Sequence, residues 1–304
     1  MNTGAAIGPR IAAFAPAKVN LYLHILGRRS DGYHEVDSLV AFADIGDRLF
    51  VAPAAQFSLA LAGPEAGALE GLGDDNLVLR AARHLARDAG IAAGAALSLE
   101  KNLPVAAGLG GGSSDAAAAL RALAALWGLP VERAAPVAAA LGADVPACLY
   151  GRPAWVGGIG ERIAPAAGLP CAGILLANPR IALPTAAVFA ARRGAFGGPG
   201  RFAPMPADAH GLARALKQRR NDLTEAAIGL VPEIGAVLAR LAALPGALLA
   251  RMSGSGATCF ALFADGAAAR RAAAALAVAV PEWWSAAGTL GADGFERAVD
   301  PGRR

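Results

Sequence analysis

The sequence predicts an α+β protein that is built from two halves. Its 304 residues are enough for two domains of ordinary size. Segments that alternate apolar and polar residues, as strands do, are interspersed with segments that repeat apolar residues at helical spacing. A glycine-rich stretch around Tyr150–Gly160 separates the two halves. We therefore expect an N-terminal domain over residues 1–157 and a C-terminal domain over residues 158–304.

The first predicted element is a half-buried strand near the amino end. Apolar residues alternate with other residues over positions 19–26, and this period of two is typical of a strand with one buried face. Lys18, Asn20, Tyr22 and His24 are expected to share the opposite face of that strand.

A turn and further strands are predicted next. The Asp31-Gly32 pair favours a turn, after which Tyr33–Ala43 could return as a second strand. Short strands are expected at Asp47–Val51 and Gln56–Ala62.

The rest of the N-terminal half is predicted to be mainly helical. Asp75 is the expected N-cap of a helix that runs toward Gly90. The further elements expected here are a strand at Ala95–Glu100, a helix from about Ser113 to Trp127 and a helix at Val131–Leu141.

The C-terminal half is predicted to mix strands and helices around one long loop. The segment Arg193–Pro206 is rich in Gly and Pro, which predicts a mobile loop. The expected strands are Ala172–Ala177 and Thr258–Phe263, and the expected helices are Asp208–Arg220, Pro232–Leu244 and Gly266–Val278.

Composition argues against a membrane protein and against a nucleic-acid-binding protein. No run reaches the ~18–20 consecutive apolar residues of a spanning helix, and the first residues lack the order of a signal peptide. The net charge is only +4 and the arginines form no dense patch, although the pI is 9.3. The three cysteines lack metal-ligand spacing, which indicates free thiols in a reducing compartment. We therefore expect a cytoplasmic protein that binds neither membranes nor nucleic acids.

Lysine is scarce in this arginine-rich chain, and its few positions are informative. The three lysines are Lys18, Lys101 and Lys217. Arginine would serve wherever a surface charge suffices, so a retained lysine suggests a place that needs a compact point charge.

The segment Gly108–Ser114, Gly-Leu-Gly-Gly-Gly-Ser-Ser, is the strongest local signal for a ligand site. Its four glycines let the backbone approach an anion closely and turn successive N–H groups toward it. The helix expected near Ser113 adds unpaired N–H groups and a positive dipole end, which favour phosphate. The segment lacks the P-loop pattern and the third glycine of the dinucleotide fingerprint. Asp115 is interpreted as a residue that interacts with the helix dipole.

Other polar motifs have an ordinary structural explanation when each is taken alone. Asp144 comes two residues before Pro146 and fits a helix cap. Tyr33 and His34 fit a pair of surface aromatics, and residues 253–256 fit a tight turn. Their combination along the chain favours a functional interpretation.

In their order, these motifs resemble those of the GHMP kinases, a family of small-molecule kinases. The motifs are Pro16–Asn20, Pro104–Ser114, Gly142–Pro146 and Met252–Ala257, and the resemblance runs from about Phe14 to Phe263. It implies the two-domain GHMP kinase fold, in which a domain similar to ribosomal protein S5 domain 2 precedes an α+β domain. It also implies transfer of a phosphoryl group from ATP to a hydroxyl group of a substrate bound between the domains.

The resemblance assigns roles to individual residues. Asp144 matches the catalytic base, and Lys18 matches its partner, which could offset charge on the transferring phosphoryl group. Mg²⁺ is expected with the ATP, but no acidic residue of the motifs is an obvious ligand. Ser114 is a weak candidate, and the metal is expected mainly on ATP oxygens and water. The residues that match positions near the nucleotide are Asn76, Lys101, Pro104, Gly108, Leu109, Gly110, Gly111, Gly112, Ser113 and Ser114.

Within the family, the chain is most similar to members whose substrate is a cytidine diphosphate-linked sugar alcohol of isoprenoid precursor synthesis. The similarity lies in Gly32-Tyr33-His34, Asp75-Asn76-Leu77 and Met252–Thr258. An aromatic pair can hold a flat base while edge hydrogen bonds select it. The matching positions are Tyr33 and Phe189 for the ring pair, His34 and Asn20 for polar contacts, and Thr185 for the pocket wall.

The sequence leaves more than one function open. A homoserine or mevalonate kinase would share the phosphate site, but neither substrate carries a base that Tyr33 and Phe189 could hold. A different class of protein, either a non-catalytic S5-like protein that binds RNA or a silent regulator, would keep the fold without the reaction. The retained Lys18 and Asp144 argue against a silent protein, and the lack of a dense basic patch argues against RNA. The chain is expected to be a monomer or a weak homodimer.

Overall fold

The computed structural model describes residues 10–291, in which ten strands and nine α-helices form a mixed fold. The predicted α+β class is confirmed. The elements of the N-terminal half are β1 (Ile11–Arg28), β2 (His34–Ala54), β3 (Ser58–Ala62), α1 (Leu77–Ala89), β4 (Gly94–Glu100), α2 (Gly111–Leu126), α3 (Ala134–Leu141), α4 (Val145–Tyr150), β5 (Ala154–Gly158) and β6 (Arg162–Pro165).

The C-terminal half contains the remaining four strands and five helices. They are β7 (Ala172–Asn178), α5 (Thr185–Ala191), α6 (Ala209–Lys217), α7 (Thr224–Leu230), α8 (Glu233–Ala242), β8 (Leu249–Met252), β9 (Cys259–Phe263), α9 (Gly266–Ala279) and β10 (Trp284–Leu290).

The long strand β2 connects the two halves of the sheet. It pairs with β1 in antiparallel fashion over almost its whole length, and it also pairs with β4 and β5. A single residue pair, Leu290 with Ala43, joins it to β10. From β10 the sheet continues through β7, β9 and β8. One sheet therefore passes through both halves of the described chain.

The strand β1 is buried on both faces, contrary to the half-buried strand that the sequence predicts. Helix α2 packs on part of it, and Val19, Leu21 and Ile25 lie in hydrophobic cores that they share with residues of the C-terminal half. The pairing with β2 shifts register between Asn20 and Tyr22, which reverses the alternation of faces. Leu23 therefore lines the same cleft as Lys18 and Asn20, whereas the ring of Tyr22 packs in the core against Trp155. The prediction that Tyr22 and His24 share the face of Lys18 was wrong for this reason.

Helix α2 packs closely on the sheet because its buried face consists of small residues. The run Ala116–Ala119 is completely buried, and Leu120 and Leu123 extend the contact into the same core. Alanine combines the highest helix propensity with a short side chain, so the helix can approach the strands. This close packing fixes the position of the glycine-rich segment, whose second half forms the first turn of α2.

Several predicted boundaries differ from the structure. The N-cap of α1 is Asn76 and not Asp75, because the Asn76 side chain accepts the Val78 N–H while Asp75 ends a short 3₁₀ turn. The segment predicted as a separate strand, Asp47–Val51, continues β2 without a break. Helix α2 begins at Gly111, before the predicted Ser113, and Val131–Arg133 is a 3₁₀ turn before α3.

The domain division predicted between residues 157 and 158 falls within β5. That strand pairs with β2 on one side and with β6 on the other. A division at 157 would separate β5 from β6, its antiparallel partner. We propose that the N-terminal unit extends to Pro165 and that β10 is the segment of the C-terminal unit that returns to it.

The segment 193–206, predicted as a mobile loop, contains no helix or strand and lies against β1 and β2. The Gly197 N–H donates to the Ile25 carbonyl oxygen at 2.9 Å, and the Gly200 N–H donates to Asp37 Oδ2 at 2.7 Å. The ring of His24 lies 2.9 Å, through Nδ1, from the Gly198 carbonyl oxygen. These hydrogen bonds fasten the segment to the β1–β2 pair.

Over residues 10–291, no helix combines the length and the apolar character that crossing a membrane requires.

Replacing Asn76 by alanine should lower the free energy of unfolding by about 1 kcal/mol, the usual value of an N-cap hydrogen bond. Asp75→Ala is the matched control and should change it by less than about 0.5 kcal/mol. Urea denaturation in the absence of nucleotide measures both. A larger loss for Asp75→Ala than for Asn76→Ala would contradict the capping assignment.

Candidate active site

A cleft of about 440 Å³ lies between the two halves and gathers most of the motifs identified in the sequence. Strand β1, the glycine-rich segment, the residue before α4 and the loop 254–255 all contribute to its wall. The predicted site residues among its lining are Lys18, Asn20, Gly108, Gly110, Gly111, Gly112, Ser113, Asp144, Thr185 and Phe189.

The pair formed by Lys18 and Asp144 lies at the centre of the cleft. Lys18 Nζ lies 2.7 Å from Asp144 Oδ1, although the two residues are 126 positions apart. The lysine side chain is almost fully buried, whereas the aspartate side chain is 46% exposed. Asp144 precedes α4, but its side chain makes no capping hydrogen bond. Asp144 therefore occupies the N-cap position, as the ordinary explanation predicts, but its carboxylate does not cap the helix and is directed to the lysine.

Asn20 connects the lysine to a polar network beneath the cleft. Its Oδ1 accepts from Lys18 Nζ at 3.2 Å, and its Nδ2 donates to Ser38 Oγ at 2.8 Å. Its backbone N–H donates to Ser253 Oγ at 3.1 Å. Because these groups are buried, each hydrogen bond limits the orientations that the Lys18 side chain can take.

Two glycine-containing loops meet beside the pair of Lys18 and Asp144. One is the glycine-rich segment of the N-terminal half, and the other is the loop 253–256 of the C-terminal half. Gly108 has a φ of 74°, and a Cβ at this position would collide with the carbonyl oxygen of Ser253 and approach that of Gly256 to 2.8 Å. Ser253 Oγ donates to the Gly108 carbonyl oxygen at 2.9 Å. The close approach requires glycine at position 108, so this residue joins the two halves at the site.

The glycine-rich segment divides into an open face and a buried face. Gly110, Gly111, Gly112 and Ser113 line the cleft where α2 begins, so the unpaired N–H groups of its first turn face the cavity. Ser114 is fully buried, and its hydroxyl donates to the Pro16 carbonyl oxygen at 2.8 Å. Leu109 within the segment and Pro104 before it are also buried.

Two further residues predicted to lie near the nucleotide, Asn76 and Lys101, are not part of the cleft wall either. Asn76 caps α1, and its side chain is buried. Lys101 is 1% exposed, with its Nζ bonded to Asp47 and Asp115 behind Gly111. The interpretation of Asp115 as a helix-dipole residue was therefore incomplete, since its carboxyl group belongs to a buried ion cluster.

A larger pocket of about 850 Å³ adjoins the cleft and contains the predicted aromatic residues. Tyr33, His34 and Phe189 line it, and the ring centroids of His34 and Phe189 lie 5.2 Å apart. Tyr33 is 60% exposed at the turn before β2. Thr185 and Phe189 line both cavities, so the two are continuous along α5.

The surroundings of His34 favour the neutral form of its imidazole at pH 7. Burial, together with the positive charges of Arg28 and Arg192, holds the pKa of His34 below its ordinary value of 6.5. Arg28 and Arg192 line the same pocket. A neutral ring keeps one nitrogen as an acceptor, which can receive a hydrogen bond from an amino group of a ligand.

The sequence did not identify the residues that hold the loop 253–256, the glycine-containing loop of the C-terminal half. Asn221 Nδ2 donates to the carbonyl oxygens of Met252 and Gly254, and Ser255 Oγ lies 2.8 Å from Thr185 Oγ1. Ser38 supports Asn20 from β2. The Ser-Gly-Ser-Gly pattern signalled the loop itself, but Asn221 and Ser38 stand in ordinary local sequence without any motif.

The cleft offers few ligands for a metal ion. Asp144 is its one carboxylate among the described residues, and no group of three or more His, Cys, Asp or Glu over residues 10–291 could hold a metal. Magnesium is usually bound through few protein carboxylates together with substrate phosphates and water. The residues present therefore fit a magnesium ion carried mainly by the phosphates of a nucleotide.

Comparisons with known proteins agree with this geometry. A family model described as GHMP kinases N terminal domain matches residues 76–152, and one described as GHMP kinases C terminal matches residues 207–281. The 4-diphosphocytidyl-2-C-methyl-D-erythritol kinase of Paramagnetospirillum magneticum is 53% identical over 91% of this chain and 97% of that protein. The kinase of the same name from Cereibacter sphaeroides is 54% identical over 90% of this chain and 97% of that protein.

Solved structures extend the similarity to the whole fold. A crystal structure of 4-(cytidine 5'-diphospho)-2C-methyl-D-erythritol kinase matches with a TM-score of 0.75 and 40% identity, over 93% of this chain and 100% of that chain. A homoserine kinase from Cytophaga hutchinsonii matches with a TM-score of 0.70 at 19% identity, over 97% of this chain and 98% of that chain. At that identity the second match shows the fold alone.

Gly108→Ala should destabilise the protein by at least about 1–2 kcal/mol, the cost of a left-handed conformation for a residue with a Cβ. The collision with Ser253 would add to this cost. Gly112→Ala is the control, because a Cβ at position 112 meets only Leu77 Cδ1 at 3.4 Å and alanine favours a helix. Thermal and urea unfolding should therefore show no loss for Gly112→Ala. Equal stability of the Gly108→Ala variant and the wild type would contradict the proposed contact between the loops.

Proposed function

Because this chain belongs to the GHMP kinase family, we propose that it transfers the γ-phosphoryl group of ATP to the 2-hydroxyl of 4-diphosphocytidyl-2-C-methyl-D-erythritol. This reaction belongs to the non-mevalonate route to isoprenoid precursors. The observation that carries the proposal is the Lys18–Asp144 pair, which lies where the glycine-rich segment and the aromatic pocket meet.

Asp144 acts as the general base in this proposal. Lys18 occupies its Oδ1, so Oδ2 is left to accept the proton of the substrate hydroxyl. The side chain is half-exposed to the cleft, as a group that must reach a substrate has to be. Removing that proton as the oxygen attacks the γ-phosphorus makes the hydroxyl a better nucleophile.

Lys18 holds the base and balances charge. Its ammonium group is buried among Asp144 and Asn20, so it can donate to the attacking oxygen or to the transferring phosphoryl group. A lysine suits this position because the space beside Gly110 is narrow and lysine carries a compact point charge. A Cβ added at position 110 would lie only 3.1 Å from Lys18 Cε.

ATP is proposed to bind with its phosphates at the first turn of α2. The exposed N–H groups there and the positive helix end favour an anion. Gly108, Leu109, Gly110, Gly111, Gly112, Ser113 and Ser114 form or support this phosphate site, and Pro104, Lys101 and Asn76 flank it. Mg²⁺ bound to the ATP would neutralise phosphate charge, with ligands mainly from the nucleotide and water.

The aromatic pocket is proposed to hold the cytidine end of the substrate. Tyr33 and Phe189 offer ring faces for the base, and the neutral His34 offers a hydrogen-bond acceptor for its amino group. Asn20 and Thr185 line the path from this pocket to Asp144. A base held there would leave the sugar alcohol near the catalytic pair.

A homoserine or mevalonate kinase is the nearest alternative, since such enzymes share the fold. The pocket formed by Tyr33, His34 and Phe189 favours a substrate with a base over either of these small molecules. Free cysteines, of which Cys148 and Cys259 are buried, support the proposal of a reducing, cytoplasmic location. A monomer or weak homodimer without nucleic acid remains a prediction.

Asp144→Asn should lower kcat by at least about 10²-fold, because an amide cannot accept the proton. Binding of a non-hydrolysable ATP analogue should stay within about threefold of wild type, or ~0.7 kcal/mol. Asp88→Asn, at an exposed aspartate paired with Arg133, is the control and should keep its kcat. Steady-state kinetics and calorimetry measure both quantities. A variant that retains more than roughly a tenth of the activity would rule out Asp144 as the base.

Tyr33→Ala should weaken binding of cytidine diphosphate and leave binding of the ATP analogue unchanged. Stacking of one base on a ring contributes about 1–3 kcal/mol, which corresponds to a ~5- to 150-fold rise in Kd. Tyr33→Phe keeps the ring and is the matched control, with a Kd close to that of the wild type. Weaker binding of the ATP analogue with unchanged binding of cytidine diphosphate would show that the two nucleotides are assigned to the wrong pockets.

A further inference from the structure

A buried ion cluster lies behind the glycine-rich segment, outside the cleft. Lys101 Nζ bonds to Asp47 Oδ2 at 2.5 Å and to Asp115 Oδ2 at 2.8 Å. The three residues are 1%, 0% and 2% exposed, respectively. The cluster therefore holds one ammonium group and two carboxyl groups without access to water.

The charge of this cluster cannot balance if both carboxyl groups are ionised. Two carboxylates and one ammonium group would leave a net negative charge in the interior, which is costly because no solvent stabilises it. Burial lowers the pKa of Lys101, but the adjacent Asp115 and Asp47 outweigh this effect and raise that pKa, so the amine stays charged. Neutrality then requires that one of the two aspartates carry a proton.

The hydrogen bonds identify which aspartate is ionised. Asp47 accepts from Lys101 Nζ and, through Oδ1, from the backbone N–H groups of Asn102 at 2.6 Å and Leu103 at 2.8 Å. Asp115 accepts only from Lys101, and its buried Oδ1 has no hydrogen-bond partner. Donors stabilise a carboxylate, so the negative charge resides on Asp47.

The surroundings of Asp115 agree with a neutral carboxylic acid. Burial, and the negative charge of Asp47, raise the pKa of Asp115 to about 8, against the opposing effect of Lys101. From α4 the thiol of Cys148 interacts with Asp115, and burial raises the pKa of this thiol to about 12. The thiol also interacts with Asp144, Lys18 and Arg121. Lys18 is hydrogen-bonded to Asp144, and Arg121 donates to carbonyl oxygens.

We propose that the cluster of Asp47, Lys101 and Asp115 positions the glycine-rich segment for ATP, with Asp47 ionised and Asp115 protonated. Asp47 holds the backbone of Asn102 and Leu103, which lead into the segment. Lys101 lies directly behind Gly111, where a Cβ would approach its Nζ to 3.1 Å. The three residues are positioning residues, since none of them lines the cleft.

The protonation of Asp115 has a direct consequence for phosphate binding. Asp115 lies near the beginning of α2, where the helix end carries a partial positive charge. A neutral Asp115 does not weaken the attraction between this helix end and the phosphates, whereas an ionised Asp115 would repel an anion bound at the same place. ATP binding should therefore weaken as the pH rises through the value at which the cluster loses its proton. This inference rests on the ATP site proposed above.

The test measures binding of a non-hydrolysable ATP analogue between about pH 7 and pH 9.5, a range that brackets the titration of Asp115. It compares the wild type with Asp115→Asn, Asp47→Asn and the surface control Asp88→Asn. Calorimetry should show a severalfold rise in Kd of the wild type and of Asp88→Asn at the alkaline end. Asp115→Asn keeps a neutral group, so its Kd should match that of the wild type at pH 7 and stay constant. Asp47→Asn should weaken binding by about tenfold or more, a loss of ~1.4 kcal/mol.

Thermal unfolding gives a second readout that does not require Asp47→Asn to fold. The native pKa of Asp115 lies above its unfolded value, so from about pH 4 to about pH 8 the unfolded chain has released this proton while the native protein still keeps it, and the free energy of unfolding falls as the pH rises. The gain in Tm of Asp115→Asn over wild type should therefore grow with pH across this range. A Tm difference that does not change with pH, or an Asp115→Asn variant whose Kd rises with pH as in the wild type, would overturn the proposal. A wild type that fails to bind the ATP analogue at any pH would instead contradict the proposed function.

Discussion

The arrangement of the site depends on the burial of one cation, the ammonium group of Lys18. A buried charge is stable only if partners replace water, and here Asp144 and Asn20 are those partners. Asn20 lies on β1, at the start of the N-terminal half, and Asp144 lies before α4, near its end. Both elements, and Gly110, which packs against the Lys18 side chain, must therefore be in place before the pair can form. Asp144 is the half-exposed member of this pair, and Lys18 is the buried one.

A second constraint brings the two halves of the chain to the same cleft. Gly108 contacts the loop that contains Ser253 so closely that no side chain fits between them, and Ser253 also binds the backbone of Asn20. Ser253 therefore takes part both in the network around the Lys18–Asp144 pair and in the contact between the halves. The same cleft opens along α5 into the aromatic pocket, since Thr185 and Phe189 belong to both. One continuous cavity can therefore place a long substrate with its base at one end and its hydroxyl group at Asp144.

Local patterns in the sequence predicted much of this arrangement. Most of the predictions that were wrong concern features that depend on contacts between residues far apart in the chain. The glycine-rich segment, most strands and the Lys18 and Asp144 motifs carry their signal in a few neighbouring residues. The bulge after Asn20, in contrast, is visible only when β2 is present to define the register. Asp115 looks like an ordinary residue of a first helical turn until Lys101 and Asp47 are placed beside it. The capping residue of α1 was misplaced by one position because Asp75 and Asn76 are both good N-caps in isolation.

The most direct test of the central claim is the ³¹P NMR spectrum of the product that forms from ATP, Mg²⁺ and 4-diphosphocytidyl-2-C-methyl-D-erythritol. The carbon that carries the 2-hydroxyl also carries the methyl branch and has no hydrogen. The account therefore predicts a new phosphomonoester resonance without three-bond coupling to a proton, together with the signals of ADP. A phosphomonoester coupled to a proton would place the phosphoryl group on another hydroxyl. Release of inorganic phosphate alone, or phosphorylation of homoserine or mevalonate with this substrate left unchanged, would contradict the account.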